Sequence, residues 1–331
     1  MARGQARPIA RRPRRGRDRV MELVAKSPAM LEIVRMAERV ARTDATLLIT
    51  GESGTGKDLL ARFVHERSRR ASAPLVKIDC AGLAQSLLEA ELFGYERGAF
   101  TGANRTMPGR IEGAQGGTLV LDEVAQLSAD AQAKLLRVIE RREFERLGGR
   151  RALRVDARII ALTNVDLDGA VRRRAFREDL FHRLNVVRLE IPPLRARRAD
   201  VRELARRFLV AARTKHGKRI KSFSTEALRL LDDYDFPGNV RELQHIVERA
   251  VIVCEGDRIE VADLPDAVRL AARSQRRRRE RPTLAEVEAE YIREVLTAAR
   301  GNKSEAARIL GISRKNLYEK IARYHIESVK R

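Results

Sequence analysis

Apolar positions follow two regimes along the chain. In the first, Ala29–Ala41 (AMLEIVRMAERVA) carries apolar residues at helical spacing, and Ala45–Thr50 (ATLLIT) is a short apolar run leading into a glycine-rich loop and the helical stretch Leu59–Arg69. Further short runs lie at Leu75–Ile78, Thr118–Leu121, Ala157–Leu162 and Val186–Ile191, with helical stretches between most of them. This alternation predicts an α/β unit, a parallel sheet with helices on both faces. In the second regime, from Asp200 to about Val268, the patterns are helical throughout, with Val201–Lys215, Ser224–Leu231 and Val240–Cys254 forming a small helical subdomain. The charge run Arg273–Pro282 (RSQRRRRERP) then marks a linker, and a separate all-helical unit follows from Thr283. The expected division is a disordered basic arm (1–20), an α/β subdomain (21–199), a helical subdomain (200–268), a basic linker (269–282) and a terminal helical unit (283–331).

Composition changes this picture in a few places. At 331 residues the chain is too long for one ordinary core. A formal net charge of +22 attracts polyanions, nucleic acid first among them, although arginine spread widely along the chain also fits a compositional bias. Cys80 and Cys254 stand far apart, so neither a disulfide framework nor a metal cluster is indicated, and a reducing cytoplasm fits. No stretch reaches the roughly 18 apolar residues of a membrane span, and the Arg-, Pro- and Gly-rich start has no apolar core to make it a secretory signal.

Chemistry enters at Gly51–Asp58 (GESGTGKD), whose spacing fits G-x-x-x-x-G-K between a strand and a helix. The backbone N–H groups of Gly51, Glu52, Ser53, Gly54, Thr55 and Gly56 can curl around phosphate oxygens, and Lys57 can bridge the β- and γ-phosphates of ATP. An ordinary glycine turn is the plainer reading of the loop alone. Asp58 replaces the usual Ser/Thr, so a hydroxyl ligand for Mg2+ is missing and the metal is expected to rely on Asp122 and water. The apolar Thr118–Leu121 delivers Asp122 and Glu123 at its end. A helix cap accounts for one acid but not for the pair. Asp122 suits magnesium and Glu123 suits polarising the attacking water.

With these residues in view, Leu23–Pro265 resembles the AAA+ domain of bacterial enhancer-binding proteins, the NtrC-like activators of sigma-54 RNA polymerase. The most specific match is Gly98–Ala103 (GAFTGA), preceded by Glu91–Gly94 (ELFG). On its own it reads as a flexible loop tip with an exposed apolar anchor. The resemblance implies that Gly98, Ala99, Phe100, Thr101, Gly102 and Ala103 contact sigma-54, with Phe100 and Thr101 at the centre. It further implies that Asn164 is the sensor that orients water near the γ-phosphate, that Arg177 and Arg183 in Phe176–Leu184 (FREDLFHRL) are arginine fingers, and that Arg241 in Phe236–Leu243 (FPGNVREL) contacts nucleotide from the lid. Fingers acting between subunits imply a homo-oligomeric ring, expected to be a hexamer. The chain departs from the family pattern at Phe236, where Trp is common, at Ala25, where Gly is frequent, and at Asp79, where Asn usually restrains the catalytic glutamate. An ionised Asp79 near Glu123 is expected to repel it and to loosen the gating of hydrolysis.

The terminal unit contains Tyr291–Ala299, Lys303–Leu310 and Ser313–Tyr324, the last two joined at Gly311-Ile312. This reads as a helix-turn-helix with Ala306, Ala307, Leu310, Ile312, Leu317 and Ile321 in its core; a three-helix dimerisation bundle shows a similar pattern. The unit resembles the Fis-type terminus of the same family. Ser313, Arg314, Lys315 and Asn316 open the second helix towards DNA, and Lys320 and Arg323 are placed to meet phosphates.

The expected function is therefore a sigma-54-dependent activator that binds enhancer DNA and uses ATP hydrolysis in a ring to open the promoter. A repressor with a vestigial ATPase and a general AAA+ motor are the competing readings. A basic segment of about twenty residues precedes the ATPase region, too short for a receiver domain, so control is expected from a regulator in trans, from expression level, or from neither.

Overall fold

The computed structural model describes residues 23–271, 283–299, 301–324 and 326. The expected basic arm and all of the linker beyond Ala271 lie outside the described residues. Two compact units divide at Pro265/Asp266, close to the expected end of the helical subdomain.

The first unit is built on a five-stranded sheet in which every pairing is parallel, with Leu75–Asp79, Thr118–Asp122, Arg158–Thr163, Leu47–Thr50 and Val187–Glu190 side by side in that order. The inner three strands are apolar because both their faces are covered, whereas the two edge strands carry exposed residues. One face packs Leu48, Leu119, Leu121 and Ile159 against the helices Gln85–Phe93, Ala129–Arg141 and Glu178–Leu184. The other packs Leu47, Ile49 and Ile160 against Pro28–Ala41 and Lys57–Glu66. Arg158 is buried and donates to the Val40 and Ala41 carbonyls, closing the end of the Pro28–Ala41 helix. This is the expected α/β architecture. The helices Val201–His216, Thr225–Asp233 and Asn239–Val253 follow as the expected lid.

Two antiparallel ribbons were not legible in the apolar pattern: Gly94–Tyr95 with Met107–Pro108, and Glu143–Glu145 with Ala152–Arg154. Strands of two or three residues leave no periodicity to read.

The second unit has helices Leu284–Ala298, Lys303–Ile309 and Arg314–Arg323 around Ile292, Leu296, Ala306, Ala307 and Leu317. Leu310, Ile312 and Ile321 pack against that core, as expected. The first helix starts at Leu284, earlier than the Tyr291 read from sequence, because Thr283 and Glu286 form a capping box there.

Candidate functional site

Four strand ends converge at one edge of the sheet, where parallel α/β sheets hold their ligands. The strand Leu47–Thr50 runs into the loop, and Gly56 at φ 103° caps the helix Lys57–Glu66, a conformation other residues rarely adopt. Lys57 is buried and donates to the carbonyls of Gly51 (2.9 Å) and Glu52 (3.3 Å), with Glu123 Oε1 at 3.8 Å. Burial pulls its pKa down, and Glu123, Asp122 and Asp58 oppose that shift. Gly54 has no room for a side chain, since a Cβ there lies 2.4 Å from the Gly238 carbonyl of the lid.

Asp122 ends its strand, and Glu123 follows in the left-handed region at φ 53°, ψ 50°. A non-glycine residue held there stores strain of the kind found at functional positions. Glu123 Oε2 accepts from the backbone N–H of Asn164 at 3.1 Å, so the restraint on the acid comes from the main chain of the expected sensor. Asp79 is aligned with Asp122 across the two strands, yet its Oδ1 accepts from Ala81 N at 2.9 Å. Asp79 thus makes a turn with its own loop while standing level with the acid pair. Cys80 is buried beside these acids, and burial followed by their charge pushes its thiol up to about 12, which leaves it inert at neutral pH.

Sequence reasoning missed Lys77. Its ammonium lies 2.6 Å from Asp58 Oδ1 and 2.7 Å from Asp122 Oδ2. Burial works against its charge, but the hydrogen bonds to Asp122 and Asp58 outweigh burial and raise its pKa. Asp58, in place of the hydroxyl expected to serve the metal, presents a second carboxylate on the other side of this ammonium from Asp122. Two hard oxygen donors of this kind fit Mg2+.

The loop and the lid enclose a cavity of about 210 Å³. Leu23, Val24, Leu204, Phe208 and Val240 give it an apolar end suited to a base, and Lys57, Arg197, Arg207 and Arg241 give it cations suited to phosphates. Arg241 donates to Ser53 Oγ at 3.4 Å. Arg195 grips Glu52 at 2.8 and 2.5 Å, and this contact, then Asn239, holds the Glu52 carboxyl down at about 2. Arg197, buried, donates to the Thr55 carbonyl at 2.6 Å. Arg195 and Arg197 were hidden in sequence among many arginines.

Arg177 and Arg183 do not line this cavity. Arg177 pairs with Asp179 (2.7 Å) and Arg183 with Glu140 (2.9 Å), both on the exposed surface.

Gly98–Ala103 forms the tip above the Gly94–Tyr95 ribbon. Gly98 N donates to the Ala103 carbonyl at 2.9 Å, with Gly98 and Gly102 both at positive φ. Ala103 is buried, Ala99 is half-buried, and Thr101 and Gly102 are exposed. Phe100 is 42% exposed and meets the Tyr95 ring edge-on at 5.0 Å. The second ribbon braces this loop: Glu96 N donates to the Leu147 carbonyl, Leu147 N to the Gly94 carbonyl, and Arg146 joins Glu96 and Glu112.

In the terminal unit, Arg314, Lys315 and Asn316 are exposed on the first turn of the last helix. Ser313 is its N-cap, and its hydroxyl accepts from Asn316 N at 3.2 Å. Arg323 is exposed, but Lys320, expected at phosphate, is bound to Glu288 at 2.6 Å. Exposed Tyr318, missed from sequence, carries Lys303 over its ring at 4.8 Å.

An ATPase of the AAA+ class is what this sheet, its lid and the cleft between them define. Residues 23–190 match the Sigma-54 interaction domain family, residues 195–281 the AAA+ ATPase lid domain, and residues 283–324 the Fis family of bacterial regulatory proteins. The chain belongs to the sigma-54-dependent transcription activators, with an ATPase domain and a DNA-binding helix-turn-helix. It is 44% identical over 315 residues to the regulatory protein AtoC of Escherichia coli K12, covering 92% of this chain and 68% of that protein. It is 46% identical over 301 residues to the transcriptional regulatory protein ZraR of the same organism, covering 91% and 68%. Among solved structures it resembles NtrX from Brucella abortus in complex with ATP, at TM-score 0.70 and 37% identity, over 92% of this chain and 69% of that one.

Proposed function

We propose that copies of this chain assemble into a ring on enhancer DNA and use Mg·ATP hydrolysis to drive the Phe100–Thr101 tips against sigma-54, opening the promoter. The observation that carries the reading is the Gly98–Ala103 tip, with an exposed aromatic ring on a braced base. In this reading the N–H groups of Gly51–Gly56 and the Lys57 ammonium hold the phosphates, and Arg241 reaches them from the lid. Asp122, with Asp58 beside it, would hold Mg2+, which would supply neutralisation of the phosphate charge. Glu123 takes the proton of the attacking water, and Asn164 orients that water.

A ring is supported by the exposure of Arg177 and Arg183 away from their own cavity, since each would reach a neighbour's γ-phosphate on leaving Asp179 or Glu140. A dimeric DNA-binding end is supported by exposed Leu284, Val287 and Tyr291, an apolar stripe at helical spacing. Arg314, Lys315 and Asn316 would read bases, with Arg323 on phosphate. Such work belongs in the cytoplasm, and no described helix is long and apolar enough to cross a membrane.

The test is open-complex formation by the full chain with purified sigma-54 holoenzyme on a supercoiled promoter carrying its bound sites. ATP-dependent complexes that Phe100→Ala abolishes are expected. Absence of complexes with the wild-type chain overturns the reading.

A further inference from the structure

The phosphate loop ends in a carboxylate, Asp58, that faces the carboxylate of Asp122 across one ammonium group. Lys57, Lys77, Asp58, Asp122 and Glu123 are brought together there, with Lys57 committed to Gly51, Glu52 and Glu123. Lys77 is the cation that the other two acids share. We infer that Lys77 is a positioning residue that competes with the divalent cation for Asp58 and Asp122, so that metal enters the cleft only together with nucleotide. This inference rests on the reading of Asp122 as a metal ligand.

The geometry leaves little room for both cations on the same oxygens. Asp58 Oδ1 and Asp122 Oδ2 each sit at charge-assisted hydrogen-bond distance from Nζ. A magnesium ion binds carboxylate oxygens at about 2.0–2.1 Å and must draw these oxygens away from the ammonium to do so. Without Lys77, two neighbouring carboxylates repel each other and form an open invitation to any free divalent ion. With Lys77 between them, a bare metal ion must displace a resident positive charge, whereas a metal ion carried by a triphosphate brings anionic oxygens that can receive that charge. Lys77 is able to make the move. Its side chain is 42% exposed, it stands on an edge strand, and its four-carbon stem swings freely compared with an arginine fork.

The experiment measures Mn2+ binding to the nucleotide-free full chain by electron paramagnetic resonance, with binding of a fluorescent ATP analogue with and without Mg2+ as a second readout. Lys77→Met is expected to bind Mn2+ at least about tenfold more tightly than wild type, as removal of an adjacent like charge requires. Lys77→Arg, which keeps a cation, stays near wild type. Adding Asp58→Asn to Lys77→Met reverses the gain. Analogue binding by Lys77→Met is expected to depend more on added Mg2+, because two uncompensated carboxylates repel a metal-free triphosphate. Circular dichroism and melting temperature check the fold of each variant, and Lys77→Gln replaces Lys77→Met should that chain not fold. Unchanged Mn2+ affinity in the charge-free variant, or a gain that Asp58→Asn does not reverse, overturns the inference. Persistence of tight Mn2+ binding in Lys77→Met with Asp122→Asn overturns instead the reading of Asp122 as the metal ligand.

Discussion

Asn239, the first residue of a lid helix, donates from its side-chain amide to Glu52 in the phosphate loop at 3.1 Å. The same amide donates to the Ser53 carbonyl at 3.0 Å, and its oxygen accepts from Leu194 N at 2.8 Å. With Val240 N bonded to the Gly54 carbonyl at 3.0 Å, the lid is stitched to the loop that cradles phosphate.

Asn239→Ala breaks this stitch. Asn239 has no exposed surface, and the variant leaves the Leu194 N–H buried without an acceptor. Loss of about 2–3 kcal/mol of stability is expected, read from urea unfolding, together with weaker ATP binding. Because Asn239 sits at φ 54°, Asn239→Gly should be milder, separating strain from lost hydrogen bonds.

Glu52 predicts an acid-sensitive link between the same parts. Its carboxyl is held at about 2 against an ordinary value of 4.5, chiefly by Arg195. The depressed group contributes stability that is complete above about pH 4.5 and is lost as pH falls towards 2. Glu52→Gln should therefore lower stability at neutral pH and flatten its decline over that acid range, measured by chemical unfolding at several pH values.

Glu123→Gln should keep ATP binding and lower phosphate release by about 10²–10⁴-fold, the usual contribution of a general base. Equal loss of binding and hydrolysis would show that Glu123 serves the fold instead.

Asp79→Asn keeps an oxygen for Ala81 N and adds an amide donor next to the acidic pair. A lower basal ATPase rate and a larger response to sigma-54 are expected. If both stay at wild-type values, Asp79 has no gating role.

The terminal unit separates two kinds of basic residue. Lys315→Ala should leave its melting unchanged and relax the sequence preference of DNA binding, at a cost of about 1–3 kcal/mol for the preferred site. Lys320→Ala should instead lower the melting temperature, since Lys320 and Tyr324 both bond Glu288.

Much of this was legible in sequence because it rests on local pattern. Short apolar runs gave the five strands, and Gly51–Lys57, Asp122–Glu123 and Gly98–Ala103 are contiguous. Lys77 escaped because a lysine in an edge strand reads as a solvent-facing position; its meaning depends on two acids brought close by the fold. Asn239 lies within a motif whose arginine carries the expected nucleotide contact, and Glu123's tether is a backbone N–H that no side-chain pattern can reveal.

The pairing of Tyr95 and Glu96 with Leu147 gives the Phe100 tip two roots in the domain rather than one. A tip on a single ribbon would bend under load and dissipate a thrust in its own hinge. Rooted twice, it resists bending, so in the proposed mechanism the recoil from a partner would pass into the domain and not into a hinge of its own. Gly148 keeps the second root close: a Cβ there lies 2.8 Å from that of Ala99. The stiffness of this lever thus depends on the smallest side chain available, at a position with no part in the chemistry.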